Sequence, residues 1–100
     1  MTVKYNLPVD YTKLSQKEKR AVREQYIKEQ NNLCMFCKEN LFADPPESIT
    51  NKPIDWRAFP GGKYGFLKNS IHLQHCHNSN LTEGAVHAYC NATMWQYYGR

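Results

Sequence analysis

The chain has no long apolar run. Its first residues, Met1 to Asp10, are polar, so no secretory leader is expected. No stretch approaches the roughly 20 apolar residues a transmembrane helix requires. Low-complexity segments are missing, and nothing repeats except one paired motif, which excludes a repeat architecture. One hundred residues make one small domain with a thin core, and such domains often need a staple such as a metal. Neither sign of charge dominates: 13 Lys and Arg against 9 Asp and Glu leave a net charge of +4. This fits a nucleic-acid partner and equally an ordinary basic surface. The 13 aromatic residues, seven of them tyrosine, serve either as core or as stacking groups, and composition does not separate the two.

What is present is a concentration of metal-binding side chains. All four cysteines and all four histidines fall in three places: Cys34-Met35-Phe36-Cys37, His72-Leu73-Gln74-His75-Cys76-His77 and His87-Ala88-Tyr89-Cys90. A two-residue gap lets both donors of a tight turn reach one ion. Cys34, Cys37, His87 and Cys90 would form a closed Cys₃His site for a structural zinc, clamping the ends of the insert 38–86. Cys76 is an alternative fourth ligand, disfavoured because it lies between two histidines on an expected strand. Two disulfides would need an oxidising compartment. With no leader, a cytoplasmic zinc protein is the expectation.

Residues 1–14 read as an irregular N-terminal arm, and 15–100 as the folded domain. Ser15-Gln16-Lys17-Glu18 is a capping box, and a helix is expected from it to about Gln30. Ala21, Val22, Tyr26 and Ile27 form its apolar stripe. Lys17, Lys19, Arg20 and Arg23 lie around the rest, read as a solvated face in preference to a phosphate-binding one. Asn31-Asn32 ends the helix. Pro45, Pro46 and Pro53 make 43–53 a loop. Ile54–Phe59 and Tyr64–Leu67 flank Pro60-Gly61-Gly62-Lys63 and predict a hairpin with a glycine tip. The Gly-Gly-Lys is a turn, since P-loop spacing is absent. Ser70–His75 predicts a strand, Asn78-Ser79-Asn80 a turn, and Leu81–Val86 a strand broken by Gly84. His87–Cys90 reads as a second metal turn, and a terminal helix is expected from Asn91, with Trp95 and Tyr98 in the core.

The run His72–His77, followed by Glu83-Gly84-Ala85-Val86-His87-Ala88-Tyr89-Cys90-Asn91, resembles the HNH (His-Me finger) nucleases. The likeness is to the phage recombination endonuclease VII-like group and small phage HNH proteins, and it covers about residues 16 to 98. It implies an α+β fold, a small zinc-stapled ββα-metal domain with an N-terminal helix. It further implies a DNA endonuclease that leaves 5′-phosphate and 3′-hydroxyl ends. His75 takes the place of the family's general base, His77 that of the second motif histidine, and Gln74 and Asn91 those of the ligands to a catalytic Mg²⁺ or Mn²⁺. Gln74 is neutral where the family has a carboxylate, Glu83 stands where related proteins have arginine, and Met94 where some have an acid. Neutral ligands imply weak cation binding without DNA.

The rest follows from the resemblance and the spacing together. Neutral imidazole suits the removal of a proton from water. His77 is either a further ligand or a packing group, and His72 a supporting partner. Period-two alternation puts Gln74 and His75 on opposite strand faces, so the strand must bulge if both serve one site. Arg57, Lys63, Lys68 and Arg100, with Tyr97, are the expected DNA-backbone contacts. Junction-resolving relatives carry more chain for dimerisation, which implies a monomeric nickase here. A phage packaging or replication protein is a candidate partner, and the host cytoplasm the expected location. The rival reading is a non-catalytic zinc module that binds nucleic acid or serves as a phage accessory protein.

Overall fold

The structure is a computed structural model, and it describes residues 4–59 and 61–98. It is an α+β chain whose centre is a two-stranded antiparallel sheet. Strand β1 is Ile71–His75 and β2 is Thr82–His87. Helix α1 (Gln16–Glu29) packs on the sheet, two short helices α2 (Glu47–Thr50) and α3 (Gly62–Phe66) lie in the insert, and α4 (Ala88–Tyr98) follows β2 directly. Among the described residues no helix is long and apolar enough to cross a membrane.

Helix α1 begins where expected. The Ser15 hydroxyl accepts from the Glu18 amide at 3.1 Å, and the Glu18 carboxylate accepts from the Ser15 amide at 3.0 Å. Val22 and Ile27 are buried, and Tyr26 is half-buried. The helix stops at two consecutive left-handed asparagines, Asn31 (φ 55°) and Asn32 (φ 64°), a conformation asparagine tolerates better than most residues. Its last side chain, Gln30, then mimics a strand. The Gln30 amide oxygen accepts from Ala85 N at 2.9 Å, and its nitrogen donates to Ala85 O at 3.0 Å and to Leu33 O at 2.7 Å.

That docking explains Gly84. The strand runs through this glycine instead of breaking, with Gly84 opposite Gln74. A Cβ here would lie 2.7 Å from Gln30 Oε1 and 2.8 Å from Met35 Sδ. The absent side chain is the space that α1 and the Cys34–Cys37 turn occupy.

Further expectations are corrected. The 43–53 segment is not all loop: it holds α2, which starts directly after Pro46 at its N-cap. Among the described residues of 54–67 there is no hairpin: Trp56–Ala58 is a 3₁₀ turn and Gly62–Phe66 is α3, entered through left-handed Gly61 (φ 76°) and Gly62 (φ 66°). The reason is aromatic packing. Phe59 meets Phe66 at 4.5 Å between ring centroids, and Trp56 meets Phe59 at 5.8 Å and Tyr89 at 5.5 Å. Alternating strands would split these rings between two faces. The terminal helix starts at Ala88, so Asn91 lies in its first turn. Its first half is buried through Met94, but Trp95 and Tyr98 are 42% and 61% exposed, because the helix leaves the core at that point.

The arm is anchored. Asp10 bridges Leu81, Tyr11 N donates to Asn80 O at 2.7 Å, and Thr82 N donates to Val9 O at 2.9 Å, with a 3₁₀ turn at Tyr11–Lys13. The arm thus lines the start of β2 and carries Tyr11 to the end of β1.

Gly84→Ala should force Gln30 off Ala85 and destabilise the domain by about 1–3 kcal/mol in urea denaturation. In a Gln30→Ala background the same change should cost measurably less, since the two share one contact.

Candidate metal centre and adjoining cleft

The Cys34–Cys37 turn is closed by Cys34 N donating to Glu39 O at 2.7 Å and Lys38 N donating to Cys34 O at 3.0 Å. The Phe36 and Cys37 amides point at Cys34 Sγ, at 3.4 and 3.5 Å. His87 ends β2, and Cys90 sits one turn into α4. The folding of β2 and α4 around this turn brings the donor atoms of Cys34, Cys37, His87 and Cys90 within 4.8 Å of one another. Cys76 stands outside the group, in the connection between the strands. All four cysteines are free thiols.

The histidine is oriented for a ligand's role. His87 Nε2 lies 2.9 Å from Asn40 O and 3.0 Å from Ala43 O. Carbonyls only accept, so Nε2 carries the hydrogen. The lone pair is then on Nδ1, which lies 3.4 Å from Cys37 Sγ and 3.6 Å from Cys90 Sγ. A backbone carbonyl fixing the far nitrogen is the usual support of a ligating imidazole. Donors around a tetrahedral zinc, with bonds of about 2.0–2.3 Å, stand roughly 3.3–3.8 Å apart. The group is therefore already close to the size of a metal shell.

The protons are unevenly shared. The Cys90 S–H donating to Cys34 draws the Cys34 thiol down to about 4, and the same bond, with burial, pushes Cys90 up. Burial raises Cys37. Three thiols and one imidazole at this spacing are compatible with a structural metal such as zinc.

Beside this cluster lies a cleft of about 400 Å³. Strand β1 contributes His72, Gln74 and His75, and the following turn His77; α4 contributes Asn91 and Trp95; α1 contributes Gln16, Lys19, Arg20 and Arg23; the arm contributes Tyr11. The sheet register slips by one residue between Gln74 and His75. All five residues of β1, from Ile71 to His75, border the cleft, so it takes side chains from both strand faces, Gln74 and His75 among them.

Hydrogen bonds orient the amides. His72 Nε2 lies 3.0 Å from Phe66 O and so carries a hydrogen; Nδ1 then accepts from Asn91 Nδ2 at 2.9 Å. Asn91 is only 9% exposed, and its Oδ1 is buried with no hydrogen-bond partner. The Gln74 amide nitrogen donates to His75 O at 3.0 Å and faces Glu83 Oε1 at 3.4 Å. The His75 ring stacks on Tyr11, at 3.9 Å and 8° between planes, and tilts against His77 at 4.6 Å. His77 is exposed and meets Trp95 edge-on at 4.8 Å. Burial first, then the neighbouring His77 and Lys19, holds His75 below its ordinary value.

The expected DNA contacts do not border this cleft. Arg57, Lys63 and Lys68 are exposed elsewhere, Arg57 pairing with Asp55 at 3.2 Å, and Arg100 lies outside the described residues. Tyr97 donates to Pro53 O. The cations that do border it are Lys19, Arg20 and Arg23, which sequence reasoning had placed on a solvated face. With Gln16 they stand at intervals of three and four residues, the spacing of one helix face and the signal available in the sequence. Tyr11 carried no sequence signal, because its position depends on the arm pairing with the start of β2.

Two outcomes follow. The protein should bind one zinc per chain, and a chelator that strips it should unfold the domain, as read by metal analysis and circular dichroism; Cys90→Ser should abolish stoichiometric binding. Burial above all holds His72 below its ordinary value of about 6.5. The fold thus favours neutral His72, and the stability this contributes is full above that value and lost as pH falls through the lowered one. Denaturation midpoints should drop from pH 7 to pH 5, and the drop should be shallower in His72→Gln, which has no titrating group there. No family model, curated protein or solved structure matches the chain.

Proposed function

We propose that the chain is a metal-dependent DNA endonuclease of the HNH, ββα-metal kind, with a structural zinc on Cys34, Cys37, His87 and Cys90. One observation carries the reading: His75, Gln74 and Asn91 border a single cleft, and Asn91 directly follows Cys90 of the metal cluster. That juxtaposition is what phosphodiester hydrolysis requires: a base, amide oxygens for a cation, and room for a phosphate.

His75, kept neutral by its surroundings, takes the proton from the attacking water. Tyr11 and His77 contact its ring and restrict its orientation. His72 turns the Asn91 amide so that its nitrogen is used and Oδ1 remains as a ligand, and Gln74 presents the second amide oxygen. A Mg²⁺ or Mn²⁺ ion on these oxygens would supply neutralisation of the phosphate and of the departing 3′ oxygen, leaving 5′-phosphate and 3′-hydroxyl ends. No Asp or Glu borders the cleft, so cation binding depends on the substrate phosphate.

The same lack of carboxylates favours a second reading, a zinc module that binds nucleic acid without cutting it. Nicking of supercoiled plasmid with added Mg²⁺ or Mn²⁺ separates the two. The parent should nick, and His75→Ala should lose about 10²–10⁴-fold in rate while keeping its fold. An intact plasmid with every divalent ion tried would leave the binding module as the function.

A further inference from the structure

Helix α1 carries a face for which the proposed chemistry has no use. Gln16, Lys19, Arg20 and Arg23 border the cleft, while Lys17 and Lys28 of the same helix do not. Nine acidic residues exist in the chain, yet none borders the cleft. Glu83 accepts from the Gln74 amide at 3.4 Å and is not among the residues that line the cleft. Three cations around a concavity that no carboxylate lines, only Arg23 of them pairing with an acid (Glu24), favour an anion there.

Two side chains sharpen this. Arg23 is tethered at one end, with Nη1 donating to Ile71 O at 3.3 Å and Nη2 3.8 Å from Glu24, but its Nε is buried with no partner. A buried donor left unmade is costly, and an incoming oxygen acceptor removes that cost. Lys19 places its ammonium 4.3 Å over the Tyr11 ring, which in turn stacks on His75. The cation thus sits one ring away from the imidazole. From residue 16 to residue 23 the helix rises roughly 10 Å, about three nucleotide steps of one strand.

We propose that the α1 face of Gln16, Lys19, Arg20 and Arg23 seats the sugar–phosphate backbone of a nucleic-acid strand and holds the phosphates flanking the one that faces His75. This rests on the nuclease reading for its substrate, and it assigns the main electrostatic contact to α1 instead of to Arg57, Lys63 and Lys68.

The test is the salt dependence of binding of a fluorescein-labelled DNA duplex to the zinc-loaded protein, in a His75→Ala background that leaves the duplex intact. Lys19→Gln/Arg20→Gln should lower the slope of log K against log salt by about 2 and weaken binding roughly tenfold at physiological salt. Lys17→Gln/Lys28→Gln removes the same charge from outside the cleft and should change the slope by less than half as much. Arg23→Lys keeps the charge but loses the planar donors, and it should weaken binding with little change in slope. Circular dichroism checks that each variant is folded. Equal effects of the two double variants, or no effect of either, would overturn the proposal. So would displacement of the duplex by poly-glutamate at lower charge concentration, which would assign the face to an acidic polypeptide. If the parent nicks plasmid while the α1 pair leaves binding unchanged, this proposal alone fails. If the parent shows no salt-sensitive DNA binding, the nuclease reading fails with it.

Discussion

The convergence of Cys34, Cys37, His87 and Cys90 is the constraint on which the remainder depends. It ties the turn after α1 to the last residue of β2 and the first turn of α4. These donors are embedded among Leu41, Ile49, Val86 and Met94. Polar atoms in such surroundings are unfavourable unless they share a partner, and a cation in place of the shared thiol protons is the partner their geometry suits. Because Asn91 follows Cys90 directly and His87 ends a strand paired with β1, the clamp also sets where Asn91 stands relative to His72.

A second constraint acts within the sheet. A regular strand would send Gln74 and His75 to opposite faces, and the register slips by one residue between them, beside a cleft that both border. A relay from the Phe66 carbonyl through His72 to Asn91 then decides which end of the asparagine amide is left unpartnered. The aromatic packing of Trp56, Phe59 and Phe66 serves this relay, since it places the Phe66 carbonyl under His72.

The electrostatics of the cleft are one-sided. Cations from α1 and imidazoles from β1 border it, and carboxylates do not. Such a site attracts an anion before a hard cation. Hydrolysis and plain nucleic-acid binding share this preference, and they differ in whether His75 meets an activated water.

Much of the frame was legible in the residues. The capping box at Ser15, the paired asparagines at 31 and 32 and the two metal half-sites are all local or count-based signals. Local backbone chemistry and ligand spacing act over a few residues, so sequence alone determines them. Other features depend on contacts between distant segments. The 54–67 insert forms helical turns because its aromatic rings pack together. Gly84 lies within a strand because Gln30 and Met35 fill its side-chain space. Trp95 is exposed because α4 leaves the core after Met94. Tyr11 reaches His75 because the arm pairs with β2. The basic residues of α1 have the same spacing whether they face water or a cleft. Only the packing of α1 against the sheet decided that Lys19, Arg20 and Arg23 border the cleft, since charge and periodicity define a helix face but not what lies opposite it.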